Sequence, residues 1–407
     1  MKTQTKLLNK DFLIFVAGWE FSMTGDALLR FALPLYILLA TGNPALMGML
    51  LTWTALPVIL FTPVGGLLAD RVSKRKLMAI LNLVIAGATL AYALATGTMS
   101  GVLVTATMLM VLFTLTGLIT PAAEATVPLL VPDKSLVLAN SITFLLTIFS
   151  SVGAPILAGF MLESLGMDSI LWLSVALFVL ASFMKSLANI PFNSTPSQEP
   201  MLQIVKTDIK SSLNFIRRTN PSVGRVIALT ALSSMLAAPV MSVALSVLVT
   251  TYFERTESIV GLAQGIVVFG GTFGLVFVGL LGKKATVHAF RPIFLILSVL
   301  LLGIGGAFSA LSVEHSFLAM IGGFFFVTAF MTVIAVVAWS YLGEHTPSDQ
   351  LGKIMALNST AVALVLAIGN GLYGILLDMF LDAPSSVFYI IGALMFVSTF
   401  FAKLKPS

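Results

Sequence analysis

Residues 66–76 read Gly66-Leu67-Leu68-Ala69-Asp70-Arg71-Val72-Ser73-Lys74-Arg75-Lys76. Four cations and one carboxylate crowd into this stretch, and apolar sequence surrounds it. No residue is charged between Arg30 and Asp70, and none between Lys76 and Glu124. Runs of that length exceed the roughly 20 apolar residues that a helix needs to cross a bilayer. The charged stretch is therefore a turn between two membrane-spanning helices. Its basic character assigns it to the cytoplasmic face, where Lys and Arg accumulate.

The rest of the chain repeats this pattern. Hydrophobic residues make up 58% of the 407 residues and charged residues only 10%. A soluble domain carries about 25% charge, so this chain cannot cover a water-facing surface and has the lipid bilayer as its partner. Twelve stretches are long and apolar enough to span it: 12–40, 45–69, 77–97, 101–122, 138–163, 168–190, 223–252, 258–282, 291–312, 315–343, 351–377 and 384–403. A β-barrel is excluded, because its strands alternate with period two and these runs do not. The first apolar stretch lacks a small-residue cleavage site and is read as a retained helix.

The expected organisation is an all-α integral membrane protein. A bundle of six helices spans 1–190, a linker spans 191–222, and a second bundle of six spans 223–407. Both termini are expected in the cytoplasm, because that topology places 19 of the 22 Lys and Arg residues inside. Arg255 falls outside, and Lys185, near the cytoplasmic end of the sixth helix, is expected to snorkel to that surface. Acidic residues show no such bias: Glu163, Asp168, Glu254, Glu257, Glu314, Asp378 and Asp382 all fall outside. In the linker, Leu202, Val205, Ile209, Leu213 and Ile216 recur at helical spacing beside Lys206, Lys210, Arg217 and Arg218. That pattern reads as an amphipathic helix on the membrane face.

The two halves echo each other. Gly66-Leu67-Leu68-Ala69-Asp70-Arg71 after the second span matches Gly279-Leu280-Leu281-Gly282-Lys283-Lys284 after the eighth. Asn140-Ser141 in the fifth matches Asn358-Ser359 in the eleventh, and each pair lies 13 residues before a glycine, Gly153 or Gly371. Pseudo-symmetric halves are the architecture of many secondary transporters.

The 66–76 loop resembles the signature loop of the major facilitator superfamily, with Ser73 in place of its second glycine. Ser22-Met23-Thr24-Gly25-Asp26, Pro121–Pro132 and Asn220-Pro221 are similar to the bacterial drug:proton antiporter subgroup of macrolide-efflux proteins and the enterobactin exporter. The resemblance implies export of small molecules by alternating access, driven by a proton gradient and without a bound cofactor, by a monomer in a bacterial inner membrane. It also implies that Gly66 allows close helix approach and that Asp70, Arg71, Lys74 and Arg75 form a conformational latch. In the fifth helix, Gly153, Pro155 and Gly159 stand where such exporters carry a packing and kink motif. The family's fourth-helix arginine is missing, because Leu112 and Phe113 occupy its level.

An ionisable residue at mid-bilayer costs roughly 2.5–3.5 kcal/mol on insertion scales, so those present are functional candidates. Three stand away from helix ends, all in the first span: Glu20, Asp26 and Arg30. Asp26 and Arg30 share a face at i, i+4, with Trp19 and Met23 beside them. Two readings follow. Asp26 is the proton-coupling carboxylate, gaining and losing Arg30, or the two form a static pair. Glu20 is rotated about 120° from Asp26 and either carries a proton or cationic substrate, or bonds a neighbouring helix. The second half offers only Gln264 and Asn370, both among glycines, as polar cavity candidates. Aromatics Trp53, Trp339, Tyr36 and Phe113 are candidates for an adaptable apolar pocket.

Other classes fit less well. Cysteine is absent, and His288, His315 and His345 are far apart at loops and helix ends, so no thiol, metal or Ser/His/Asp chemistry can be assembled. A net charge of +5 without a basic block implies no nucleic acid. The expected function is a secondary transporter rather than an enzyme, with lipophilic or cationic compounds as substrates. The alternatives are a specific metabolite, a siderophore or a lipid.

Overall fold

The computed structural model describes residues 9–95, 101–191, 211–212, 214–282 and 286–402. Every regular element among them is helical. Twelve helices are long and apolar enough to cross a membrane: α1 (Lys10–Thr41), α2 (Pro44–Arg71), α3 (Lys74–Ala95), α4 (Gly101–Leu130), α5 (Leu136–Leu165), α6 (Met167–Leu187), α7 (Pro221–Tyr252), α8 (Glu257–Leu281), α9 (Val287–Ala310), α10 (Val313–His345), α11 (Gln350–Met379) and α12 (Pro384–Phe401). A helix pairs its own backbone N–H and C=O groups, which is what hydrocarbon demands of a spanning segment. Large apolar side chains turned outward, such as Phe149, Phe160 and Leu280, are intolerable as a water-facing patch and ordinary against lipid.

The chain divides into two compact units. The first comprises Met1–Thr41, Trp53–Gln198 and Glu257–Leu262, and the second comprises Gly42–Thr52, Glu199–Thr256 and Ala263–Ser407. Within the first, α6 packs on α1 and α3, α5 on α1, and α4 on α2 and α3. Within the second, α12 packs on α9, α11 on α7, and α10 on α7 and α9. The pairs α3–α6, α1–α5 and α3–α4 therefore recur as α9–α12, α7–α11 and α9–α10. A serine-to-carbonyl bond joins each of the pairs α3–α6 and α9–α12, with the donor on opposite members. Ser182 of α6 donates to the Ala79 carbonyl of α3, and Ser298 of α9 donates to the Gly392 carbonyl of α12.

Two expectations are corrected. Lys185 does not reach the surface: it is 1% exposed, and its stem lies against Gly18 of α1, where the missing side chain leaves a groove. The close helix approach belongs to Gly65 rather than Gly66. A Cβ on Gly65 would meet the Leu118 carbonyl oxygen of α4 at 2.6 Å, whereas one on Gly66 meets nothing within 4 Å. One residue is about 100° of rotation on a helix, enough to turn a glycine from a contact into open space.

In the linker, Leu202, Val205, Lys206, Ile209, Lys210 and Leu213 lie outside the described residues. The described end, Phe215–Thr219, forms one π-helical turn before α7, with the Ile216 side chain against Gly224.

Candidate functional site

The polar centre of the first unit is built on α1, which is lined by neighbours along much of its length. Asp26 is 9% exposed. Arg30, one turn on, donates from Nε to Asp26 Oδ2 at 2.5 Å. The other carboxylate oxygen, Oδ1, accepts from Thr116 Oγ1 of α4 at 3.0 Å. Thr116 Oγ1 also lies 2.8 Å from the Leu112 carbonyl of its own helix. A hydroxyl has one hydrogen and two lone pairs, so Thr116 serves either state of Asp26. It donates to the carboxylate, or it donates to Leu112 and accepts from the carboxylic acid.

The Arg30 guanidinium stands 3.8 Å from the centroid of the Phe113 ring on α4. A cation over an aromatic face gains about 0.5–2 kcal/mol, more as water is excluded. The level of Phe113 on α4 thus carries a positive charge supplied by α1.

Glu20 faces a different helix. Its Oε1 accepts from Ser150 Oγ of α5 at 2.5 Å, and Ser150 is in turn 3.0 Å from Thr24 Oγ1. Its Oε2 is buried and has no hydrogen-bond partner among the described residues, and the same holds for the Nε1 of adjacent Trp19. The three charged residues away from the ends of α1 therefore divide between two clusters, one toward α4 and one toward α5. Thr24, Thr116 and Ser150 escaped the sequence reading. Serine and threonine recur throughout these helices and mostly bond their own backbone, so no pattern sets these apart.

The second-half candidates belong to the second unit. Asn370 is buried on α11, and its Oδ1 accepts from Ser242 at 2.6 Å. Ser242 belongs to a π-helical turn of α7, Val240–Ala244, that follows Pro239. Proline lacks a backbone donor and disturbs regular α bonding, so this bond ties α11 to the irregular part of α7. Gln264 is half-buried on α8. Of the aromatics, Trp53 and Trp339 are exposed, and Phe113 lies under Arg30.

The charged turn ends α2. Asp70, Arg71 and Arg75 are exposed, and Lys74 Nζ donates to the Ala69 carbonyl at 2.9 Å. A cation on the last carbonyls of a helix meets the negative end of its dipole. In α5, Gly153 has open space, Pro155 is buried, and Gly159 packs on the start of α8, where a Cβ would meet the Glu257 carbonyl at 2.5 Å.

Comparison with known proteins reaches the whole of this arrangement. The family model described as Major Facilitator Superfamily matches residues 13–221 and 226–406. Macrolide efflux protein A of Streptococcus pyogenes is 22% identical over 366 residues, covering 88% of this chain and 87% of the relative. The enterobactin exporter EntS of Escherichia coli O1:K1 is 26% identical over 417 residues, covering 97% of this chain and 95% of the relative. Among solved structures, a D-xylose–proton symporter superposes with a TM-score of 0.73 at 17% identity, covering 96% of each chain. A bacterial homologue of the iron transporter ferroportin, inward-facing, gives 0.75 at 16% identity, covering 98% of this chain and all of that one. At such identities the structural likeness carries the fold alone.

Proposed function

The chain belongs to the Major Facilitator Superfamily, and from that premise we propose that it is a proton-coupled exporter of lipophilic or cationic small molecules in a bacterial inner membrane. It is a multi-pass membrane transporter with bacterial efflux proteins among its relatives. What it carries, and what drives it, is inferred from the site.

The observation that carries the reading is the Asp26–Arg30–Thr116 cluster. A buried carboxylate needs a partner for its charge. With Arg30 in place Asp26 holds its negative charge. A rearrangement that withdraws the guanidinium leaves the neutral acid as the cheaper state, so Asp26 takes up a proton and Thr116 accepts its hydrogen bond. The reverse movement releases the proton. Such exchange on opposite faces of the membrane couples the proton gradient to the alternation of access. Glu20, with one oxygen unpaired, supports a preference for cationic groups over anions.

The test is flux in proteoliposomes. Asp26→Asn is expected to abolish transport driven by a pH gradient while the protein remains folded. Gradient-driven flux equal to that of the native chain would sink the coupling role. The substrate class is tested in an efflux-deficient host with a diverse panel of compounds at two external pH values. A change in susceptibility to several lipophilic compounds supports drug export. No change for any of them favours a second reading, export of one specific metabolite or siderophore. The likeness to EntS along nearly the whole chain supports that reading.

A further inference from the structure

The start of α9 and the end of α12 meet at one end of the second unit and form a groove of about 400 Å³. Its lining is Arg291, Pro292 and Leu295 of α9 with Phe396, Thr399 and Phe400 of α12. Two rows run along it. Arg291 and Leu295 are four residues apart and share a face of α9, as Phe396 and Phe400 do on α12. The rings of Phe396 and Phe400 stand edge to face at 5.7 Å. At 1.5 Å of rise per residue, Leu295 and Phe396 lie about 6 Å nearer the middle of their spans than Arg291 and Phe400. The groove is therefore charged at its mouth and apolar inward.

The charge at the mouth is uncompensated. Arg291 is exposed and makes no ion pair among the described residues. It stands in the first turn of its helix, where the macrodipole is positive and an acidic residue is favoured, and that turn has none. No Asp or Glu occurs between Glu257 and Glu314, nor after Asp382, so neither α9 nor α12 can supply the counter-charge. Thr399 is buried, and its Oγ1 donates to the Phe396 carbonyl at 2.6 Å, so its hydrogen is spent on its own helix. Leu295, Phe396 and Phe400 are exposed, as apolar side chains turned toward lipid are. The tendency of cations to gather at cytoplasmic loops accounts for a cation at this level. It does not account for a groove that leads from the cation along apolar surface.

We propose that this groove holds an anionic phospholipid, with its phosphodiester against the Arg291 guanidinium and an acyl chain along Leu295, Phe396 and Phe400. The guanidinium fork matches two phosphate oxygens at once, and the positive end of α9 adds to the attraction. A zwitterionic lipid brings an ammonium group as well, and among the described residues no acidic side chain lines the groove to receive it. A free phosphate would leave the apolar rows unused. The site is separate from the α1 cluster and does not depend on what the chain transports.

The experiment places a fluorophore beside the groove. Cysteine is absent from the chain, so Phe401→Cys gives a single point of attachment. Phe401 is 72% exposed and does not line the groove. The labelled full chain is placed in phosphatidylcholine bilayers that contain doxyl-labelled phosphatidylglycerol or doxyl-labelled phosphatidylcholine, and quenching gives the relative binding of the two lipids. Phosphatidylglycerol is expected to be favoured about fivefold, the order set by one cation beside an anionic lipid. Arg291→Gln should abolish the preference. Lys134→Gln, which removes an exposed cation from the first unit, should leave it. Inorganic phosphate, compared with chloride at equal ionic strength, should not displace the lipid. Equal binding of the two lipids, a preference that survives Arg291→Gln, equal loss in both glutamine variants, or displacement by inorganic phosphate overturns the proposal. Lys403 and Lys405 remain in every form, so a preference carried by the end of the chain shows itself by surviving Arg291→Gln. The comparison of lipids needs only native Arg291, so misfolding of the glutamine form leaves the test intact.

Discussion

Asp26 makes two side-chain bonds, and they differ in kind. The bond to Arg30 is an ion pair within one helix, and the bond to Thr116 crosses to α4. Removing the cation by Arg30→Met takes away the ion pair and leaves Asp26 with its bond from Thr116. The variant is expected to fold, keep substrate binding and lose the dependence of flux on the pH gradient. Flux that still responds fully to the gradient would show that Arg30 has no part in coupling. Thr116→Val separates the two bonds: proton-coupled flux is expected to fall several-fold and Thr116→Ser to restore it, as measured in the same vesicles. Of this cluster, Asp26 and Arg30 were legible in the sequence, because two charges in a long apolar run stand out. Thr116 was not, because its role depends on which face of α4 meets α1.

At the scale of the helix, glycine position decides how closely two elements approach. Gly65 and Gly66 are neighbours in sequence with opposite surroundings: one touches the α4 backbone and the other faces open space. Gly65→Val should force α2 from α4 and lower stability by about 1–3 kcal/mol, the usual range for overpacking. Gly66→Ala should stay within about 0.5 kcal/mol, as changes away from packed features do. Thermal unfolding of the two variants in detergent decides between these expectations, and equal loss in both would contradict the packing described. The signature motif directed attention to Gly66. A motif records which residue type occurs, while the contact depends on the rotation of α2 against its neighbour. Lys185 teaches the same lesson. Its distance from the helix end suggested the surface, but the groove at Gly18 took its stem inside.

At the scale of the molecule, the charge distribution predicts which loops face the cytoplasm, and the absence of cysteine makes the chain a ready background for testing it. In right-side-out vesicles, a membrane-impermeant maleimide is expected to label Asn43→Cys and to leave Ser73→Cys unlabelled until the membrane is opened. External labelling of Ser73→Cys would invert the proposed topology.

The sequence by itself determined that the chain is a twelve-helix membrane protein with repeated halves, because hydropathy over 20 residues is a local property and lipid permits few alternatives. It also singled out α1, because charge is costly in that environment. Only the tertiary structure decided which hydroxyls reach the charges, that Arg30 stands over Phe113, and that Arg291 of α9 shares a groove with Phe396 and Phe400 of α12. Those facts depend on helix rotation and on contacts between residues about 80 to 130 positions apart. No local pattern in an apolar chain encodes them, because nearly every face of such a helix is hydrophobic and periodicity cannot distinguish the side toward lipid from the side toward its neighbours.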